Sequence, residues 1–311
     1  MQFQPNQWGL ILGGSSGIGL ASAKKLSSQG MSLCLVHRDR RGAMARIEKE
    51  FETIRSHGHG FISLNLDALS EAGQSQIISS LQEAMGQNGK LKMLLHSIAF
   101  GNLKPLAPVR RSNRPQEIIE ELANKLGCDS GQLKMAVAET FDAGGHELAS
   151  LLPPDYPERL LEEEDMSHTI YSMGTSLSSW VQKLFAQNVF QDDARILSLT
   201  SEGNSIAWKG YAAVAAAKSA LESVSRALAV EFAPWGLRSN VIQAGITETP
   251  ALQAIPGSKH MKSNAILRNP FRRLTQPEDV ANVVSMMCSD EAAWINGTII
   301  RADGGEHISS N

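Results

Sequence analysis

The chain has 311 residues, 42% of them hydrophobic and 20% charged, a balance that supports a sizeable core in a globular protein. With 29 basic against 32 acidic residues the formal charge is −3, so charge-driven binding to nucleic acid is excluded as a function. Three scattered cysteines, Cys34, Cys128 and Cys288, fit neither a disulfide framework nor a zinc pair, and a reducing, cytoplasmic setting is the expectation.

The N-terminal apolar stretch lacks a basic flank and stops at glycines, so it reads as a strand rather than a signal peptide or membrane span, and no membrane partner is expected. Trp8–Leu12 is that strand, and the glycine turn Gly13-Gly14-Ser15-Ser16-Gly17-Ile18-Gly19 follows it. A helix comes next with Leu20, Ala21, Ala23 and Leu26 on its apolar positions, closed by Gly30. Met31–His37 is an almost continuous apolar strand, as a parallel sheet covered on both faces requires. The alternation continues with a helix near 41–57, a strand at Gly60–Leu66, a helix near 71–86 and a strand at Leu91–Ile98. Residues 166–191 supply a crossover helix, and Arg195–Thr200, Leu237–Ile242 and Thr298–Ala302 complete the strands. Helices are predicted at Tyr211–Phe232 and Pro277–Cys288. Repeated β-α-β units of this kind predict an α/β fold with a doubly wound, Rossmann-type parallel sheet in one domain, 1–311. One segment does not fit the repeat. Residues 102–165 are polar, proline-bearing and partly helical around 115–126 and 131–141, and read as an insertion serving as a lid or an oligomer contact.

The glycines at 13, 17 and 19 let the backbone turn tightly and approach a phosphate, which the free amides at a helix N-terminus then face. Placed after the first strand, the turn predicts a dinucleotide site, with Ser15, Ser16 and Ile18 in the same loop. At the end of the second strand, where an acidic residue would favour the free ribose hydroxyl of NADH, stand His37 and Arg38. Cations there favour the 2′-phosphate, and NADPH is the expected cofactor, with NADH as the alternative. The eight histidines form no ligand set, so no metal is expected, and His96 reads as a structural hydrogen-bonder at a strand end. The acidic run Glu162–Asp165 reads as a helix N-terminus.

In Gly13–Gly19, in Tyr211–Lys218 and in the run Arg273–Gly305, the sequence resembles short-chain dehydrogenases/reductases over nearly everything outside the insertion. Within that family four features are similar to the enoyl-acyl-carrier-protein reductases. His96-Ser97-Ile98-Ala99-Phe100 ends the fourth strand in place of an Asn-Asn-Ala-Gly-like stretch, and Tyr211 precedes Lys218 by seven positions instead of four. Ala244-Gly245-Ile246-Thr247 follows the sixth strand, and Asn269-Pro270-Phe271-Arg272-Arg273 precedes the Pro-Glu-Asp helix. Seven residues along a helix is two turns, ~10 Å, against one turn for four. The position four before Lys218 is Val214, which has no proton to give.

The resemblance implies the roles. Lys218 would hold the nicotinamide ribose and stabilise an enolate through Tyr211, which would hydrogen-bond the thioester oxygen; the α-carbon proton comes from that phenol or from water. Thr247 and Thr249 would contact the cofactor's amide and phosphates, with Gly245 and Ile246 beside them. Ser97, Ile98 and Ala99 would border the nicotinamide site, and Asp67 would accept from the adenine amino group. The substrate implied is an α,β-unsaturated acyl thioester on coenzyme A or an acyl carrier protein. Arg110, Arg111 and Arg114, or Arg268, Arg272 and Arg273, are candidates for docking such a carrier. A homo-oligomer, dimer or tetramer, is expected through Trp208–Val230 and Val280–Thr298. Two departures leave alternatives. The glycine loop follows the ordinary family pattern, and Ser201, ten before Tyr211, replaces the usual aromatic residue. Ser201 stands where ordinary members place a catalytic serine, so it either donates a second hydrogen bond to the carbonyl or is only a strand-end residue. A 3-oxoacyl reductase and a non-catalytic dinucleotide sensor are the alternative readings.

Overall fold

In a computed structural model, which describes residues 2–310, strand and helix alternate from the start of the chain. β1 (Gln7–Leu12) leads through the glycine turn into α1 (Gly17–Ser27); β2 (Ser32–His37), α2 (Met44–Arg55), β3 (Phe61–Asn65), α3 (Glu71–Met85) and β4 (Lys90–His96) follow. The segment after β4 carries α4 (Arg114–Leu126) and α5 (Ser130–Asp142). Asp129 caps α5 by accepting from the Gln132 amide. Next come α6 (Glu163–Ile170), a π-helical turn at Tyr171–Thr175, α7 (Ser176–Ala186) and β5 (Phe190–Ser201). The chain closes with α8 (Ala212–Glu231), β6 (Arg238–Ala244), α9 (Pro250–Gln253), α10 (Ser258–Arg268), α11 (Pro277–Met287) and β7 (Ile299–Ala302).

All seven strands are parallel, in the order β3-β2-β1-β4-β5-β6-β7. Successive residues of each strand face opposite layers. Leu10, Leu94 and Ile196 pack with Leu177, Trp180 and Leu221 on one side; Ile11, Leu95 and Leu197 pack with Leu20, Leu26 and Val280 on the other. The strand order reverses between β1 and β4, and a doubly wound sheet opens a crevice beyond the strand ends at that point. The pairing of Leu12 with His96 brings the glycine turn against Ser97 there.

Several boundaries differ from the sequence reading. The crossover predicted as one helix over 166–191 is two helices joined by the π turn and ends at Ala186, where Asn188 in a left-handed conformation turns the chain into β5. β5 starts at Phe190, not Arg195. Asp192-Asp193 looks like a loop, but Lys92, Arg195 and Arg238 converge on the Asp193 carboxylate; burial pushes its pKa up, and the hydrogen bonds and charges of Arg195 and Lys92 outweigh that and hold it down to about 2. α9 and α10 escape the sequence reading because Ser258–Arg268 has no continuous apolar stripe; only Met261, Ser263 and Ala265 are buried. Glu162 and Asp165 form a reciprocal capping box at the start of α6.

The inserted segment lies along α10. Asp142 pairs with Lys259 at 2.6 Å, His146 meets Ser263 at 3.1 Å, and His260 bonds the Leu152 carbonyl. No helix among the described residues is long and apolar enough to cross a membrane.

Candidate active site

The crevice holds a cavity of about 790 Å³, within the range of roughly 300–1,000 Å³ typical of small-molecule and cofactor sites. Its floor is the glycine turn. Gly13 has φ +91°, and a Cβ there would lie 2.4 Å from the Ser97 carbonyl oxygen, so only glycine lets the ends of β1 and β4 meet. Ser15, Ser16, Gly17 and Ile18 line the cavity at the start of α1; Gly19 lies behind them against the Gly13 carbonyl. The Ser16 hydroxyl caps none of the first-turn amides of α1, which leaves them for an anion.

At the far end, Arg38 lines the cavity with its side chain 64% exposed, over the Phe100 ring at 5.5 Å. Its Nη1 reaches one Asp67 oxygen at 3.2 Å, while the other accepts from the Leu69 amide at 2.9 Å. His37 borders the cavity too, but its ring is buried edge-on against Phe51 and its Nδ1 meets Asp39 at 3.0 Å. Asp39 also lines the cavity, a residue the sequence motif does not single out, because it lies two positions past the end of β2, where an acidic group would favour NADH.

At the opposite end lie Ser97, Ile98, Ala99, Gly245, Ile246, Thr247 and Thr249. Thr247 donates to the Gly245 carbonyl at 2.8 Å, and Thr249 caps α9 by accepting from the Leu252 amide. Lys218, on α8, is buried and donates to the Leu199 carbonyl at 2.8 Å. Burial pushes its pKa down to about 8, against a smaller upward pull from Glu222. Tyr211 stands at the N-cap of α8, with its Oη 3.3 Å from Ser201 Oγ. Burial raises the phenol's pKa, the Ser201 hydrogen bond lowers it, and the charge of Glu202 raises it again. The structure thus brings Tyr211, Ser201 and Lys218 to one wall of the cavity.

Beyond them the walls are apolar: Leu103, Met173, Val214, Leu252, Ile255 and Met261. Sequence reading did not find this chamber, because its residues come from the insertion, the π turn, α8, α9 and α10. His96 is buried with Nε2 2.9 Å from Ser176 Oγ; burial and then the charge of Lys218 bring its pKa down to about 3, so it is neutral in place. Arg111 and Arg114 are exposed on the insertion, whereas Arg268 is held by the buried carboxylates of Glu202 and Glu306. Among the described residues no group of three or more His, Cys, Asp or Glu could hold a metal ion. The glycine cradle, the uncapped helix start and the cation at the far end fit a dinucleotide.

Comparison with known proteins agrees with this geometry. Residues 7–122 match a family model described as short chain dehydrogenase, and residues 135–307 one described as Enoyl-(Acyl carrier protein) reductase. An uncharacterized oxidoreductase of Methylorubrum extorquens is 35% identical over 112 residues, 35% of this chain and 45% of the relative, so the match spans less than half of that protein. A probable 2,4-dienoyl-CoA reductase of Bacillus subtilis (strain 168) is 26% identical over 305 residues, 96% of each chain. The crystal structure of a 3-ketoacyl-(acyl-carrier-protein) reductase from Brucella melitensis, complexed with NADH, superposes with a TM-score of 0.66 at 22% identity, covering 97% of this chain and 98% of that one. That likeness is one of fold.

Proposed function

The chain belongs to the short-chain dehydrogenase/reductase family of oxidoreductases that bind NAD(H) or NADP(H), and within it we propose that the protein transfers hydride from NADPH to the β-carbon of an α,β-unsaturated acyl thioester. One observation carries this reading: the place of the acid. Four residues before Lys218 the side chain is Val214, buried and without a proton to give. The phenol belongs to Tyr211, at the N-cap of α8. Reduction of a carbonyl group puts hydride and negative charge on adjacent atoms. Conjugate reduction puts them three bonds apart, and an acid displaced along α8 suits that separation.

Ser201 and Tyr211 present two hydroxyls side by side, the arrangement needed to hold the oxygen of an enolate. Lys218 is buried close to this wall, and its ammonium, charged below about pH 8, favours that negative charge. The apolar chamber accepts an acyl chain. The choice of NADPH rests on Arg38, the exposed cation at the ribose end, and on Asp39 being tied to His37.

A second reading has its own support. The Ser201–Tyr211 pair would equally polarise the carbonyl of a 3-oxoacyl thioester. Deuterium from 4-deuterated NADPH separates the two. Label on the β-carbon of a saturated product supports conjugate reduction, and label on a carbinol carbon refutes it.

A further inference from the structure

Behind the Ser201–Tyr211 pair lies a buried charge cluster that the reaction above does not use. Glu202 follows Ser201 directly, Arg268 ends α10, and Glu306 lies in the C-terminal turn. Arg268 Nη2 sits 2.5 Å from Glu202 Oε1 and 3.1 Å from Glu306 Oε1, and the two carboxylates are 5% and 1% exposed. The other Glu306 oxygen accepts from the Ile246 amide at 3.2 Å, in the loop at the nicotinamide end. One guanidinium therefore joins the end of β5, the helix lining the apolar chamber and the cofactor loop. Glu202 is flanked by two residues that touch the tyrosine. Ser201 Oγ meets its hydroxyl, and Gly203 lies so close that a Cβ there would be 2.4 Å from Tyr211 Cε1.

We propose that Arg268 is a positioning residue for Tyr211: seated between Glu202 and Glu306, it holds the 201–203 segment under the tyrosine ring and screens the Glu202 charge from the phenol. The proposal deepens, and rests on, the reading of Tyr211 as the acid. The titratable and charged groups facing the spot are Glu202 itself, Lys218 and Glu222 from α8, Arg268 from α10, and Glu306 and His307 from the C-terminal turn, His307 Nδ1 standing 3.8 Å from Glu202. Glu202 already raises the pKa of Tyr211, so an unscreened Glu202 raises it further and a neutral one lowers it.

The chain has three tyrosines, Tyr156, Tyr171 and Tyr211, which makes a direct readout available. With Tyr156→Phe and Tyr171→Phe in place and the remaining tyrosine supplied as 3-fluorotyrosine, one fluorine resonance follows the ionisation of position 211 against pH. Glu202→Gln should lower the midpoint, Arg268→Gln should raise it, and Arg268→Lys should restore it. In the Glu202→Gln background, Arg268→Gln should move it much less. Coincident midpoints in the parent and a folded Glu202→Gln protein, checked by circular dichroism, overturn the proposal; so does a lowered midpoint in Arg268→Gln. Should Arg268→Gln not fold, Glu202→Gln decides alone, because it keeps the Arg268–Glu306 pair. The titration uses neither substrate nor turnover. Its failure leaves the reductase reading standing, and failure of enoyl turnover leaves this one standing.

Discussion

Replacing Tyr211 with phenylalanine separates chemistry from folding. The substitution keeps the ring against Gly203 and removes only the hydroxyl, whose partner is Ser201 at 3.3 Å. One hydrogen bond of that kind contributes about 1 kcal/mol net, and Ser201 faces the cavity, where water replaces the lost partner. Stability should therefore fall by about 1 kcal/mol or less. Turnover is another matter. Loss of one donor to a developing oxyanion lowers kcat by about 10²–10³, or roughly 3–4 kcal/mol of barrier. Steady-state loss of NADPH absorbance with a trans-2-enoyl-CoA measures kcat, nucleotide fluorescence measures binding, and urea denaturation measures the fold. A kcat within a few-fold of the parent would refute the acid role. Lost nucleotide binding alongside lost turnover would refute it too, assigning Tyr211 to structure.

Four more predictions follow from the same geometry. Ser201→Ala should lower kcat by about tenfold or more with the nucleotide affinity unchanged, and an unaltered kcat would make Ser201 a strand-end residue only. Arg38→Gln should weaken NADPH binding by about 10- to 100-fold while NADH binding stays within a few-fold, as fluorescence titration with both nucleotides would show. Lys218 titrates near 8 in the fold against 10.5 ordinarily, so between those pH values the unfolded chain holds more protons and stability rises with pH, by up to ~3 kcal/mol. Below about pH 8 the buried ammonium costs its full amount; Lys218→Met, without nucleotide, should be more stable than the parent at neutral pH in urea titrations, and that gap should close as the pH rises toward 10.5. Gly13→Ala, at φ +91°, should cost about 1–3 kcal/mol in denaturant titrations and abolish nucleotide binding.

What the sequence made legible was written locally. The glycine turn is a contiguous motif because one backbone path needs all of it, and β1, β2 and β4 stand out because strands covered on both faces must be apolar throughout. Tyr211 and Lys218 could be paired because both belong to one helix and its cap. The parts that stayed hidden depend on distant partners. Asp193 sits inside a strand only because Lys92 and Arg238, far along the chain, neutralise it with Arg195. Arg268 looked like a surface cation until the fold set it between Glu202 and Glu306. Asp39 stands beside a strand end that reads as basic, and its pairing with His37 is a matter of side-chain direction rather than sequence. Helix α10 owes its place to the inserted segment and the cavity, not to an amphipathic pattern of its own.

The central claim is that the displaced acid serves conjugate reduction, and the most direct measurement is NADPH oxidation with a trans-2-enoyl-CoA and a 3-oxoacyl-CoA of equal chain length, in parallel, under one set of conditions. Turnover of the enoyl thioester with little on the 3-oxo compound is the predicted result. Turnover of the 3-oxo compound alone would contradict it and place the hydride on a carbonyl carbon, with Ser201 and Tyr211 at its oxygen.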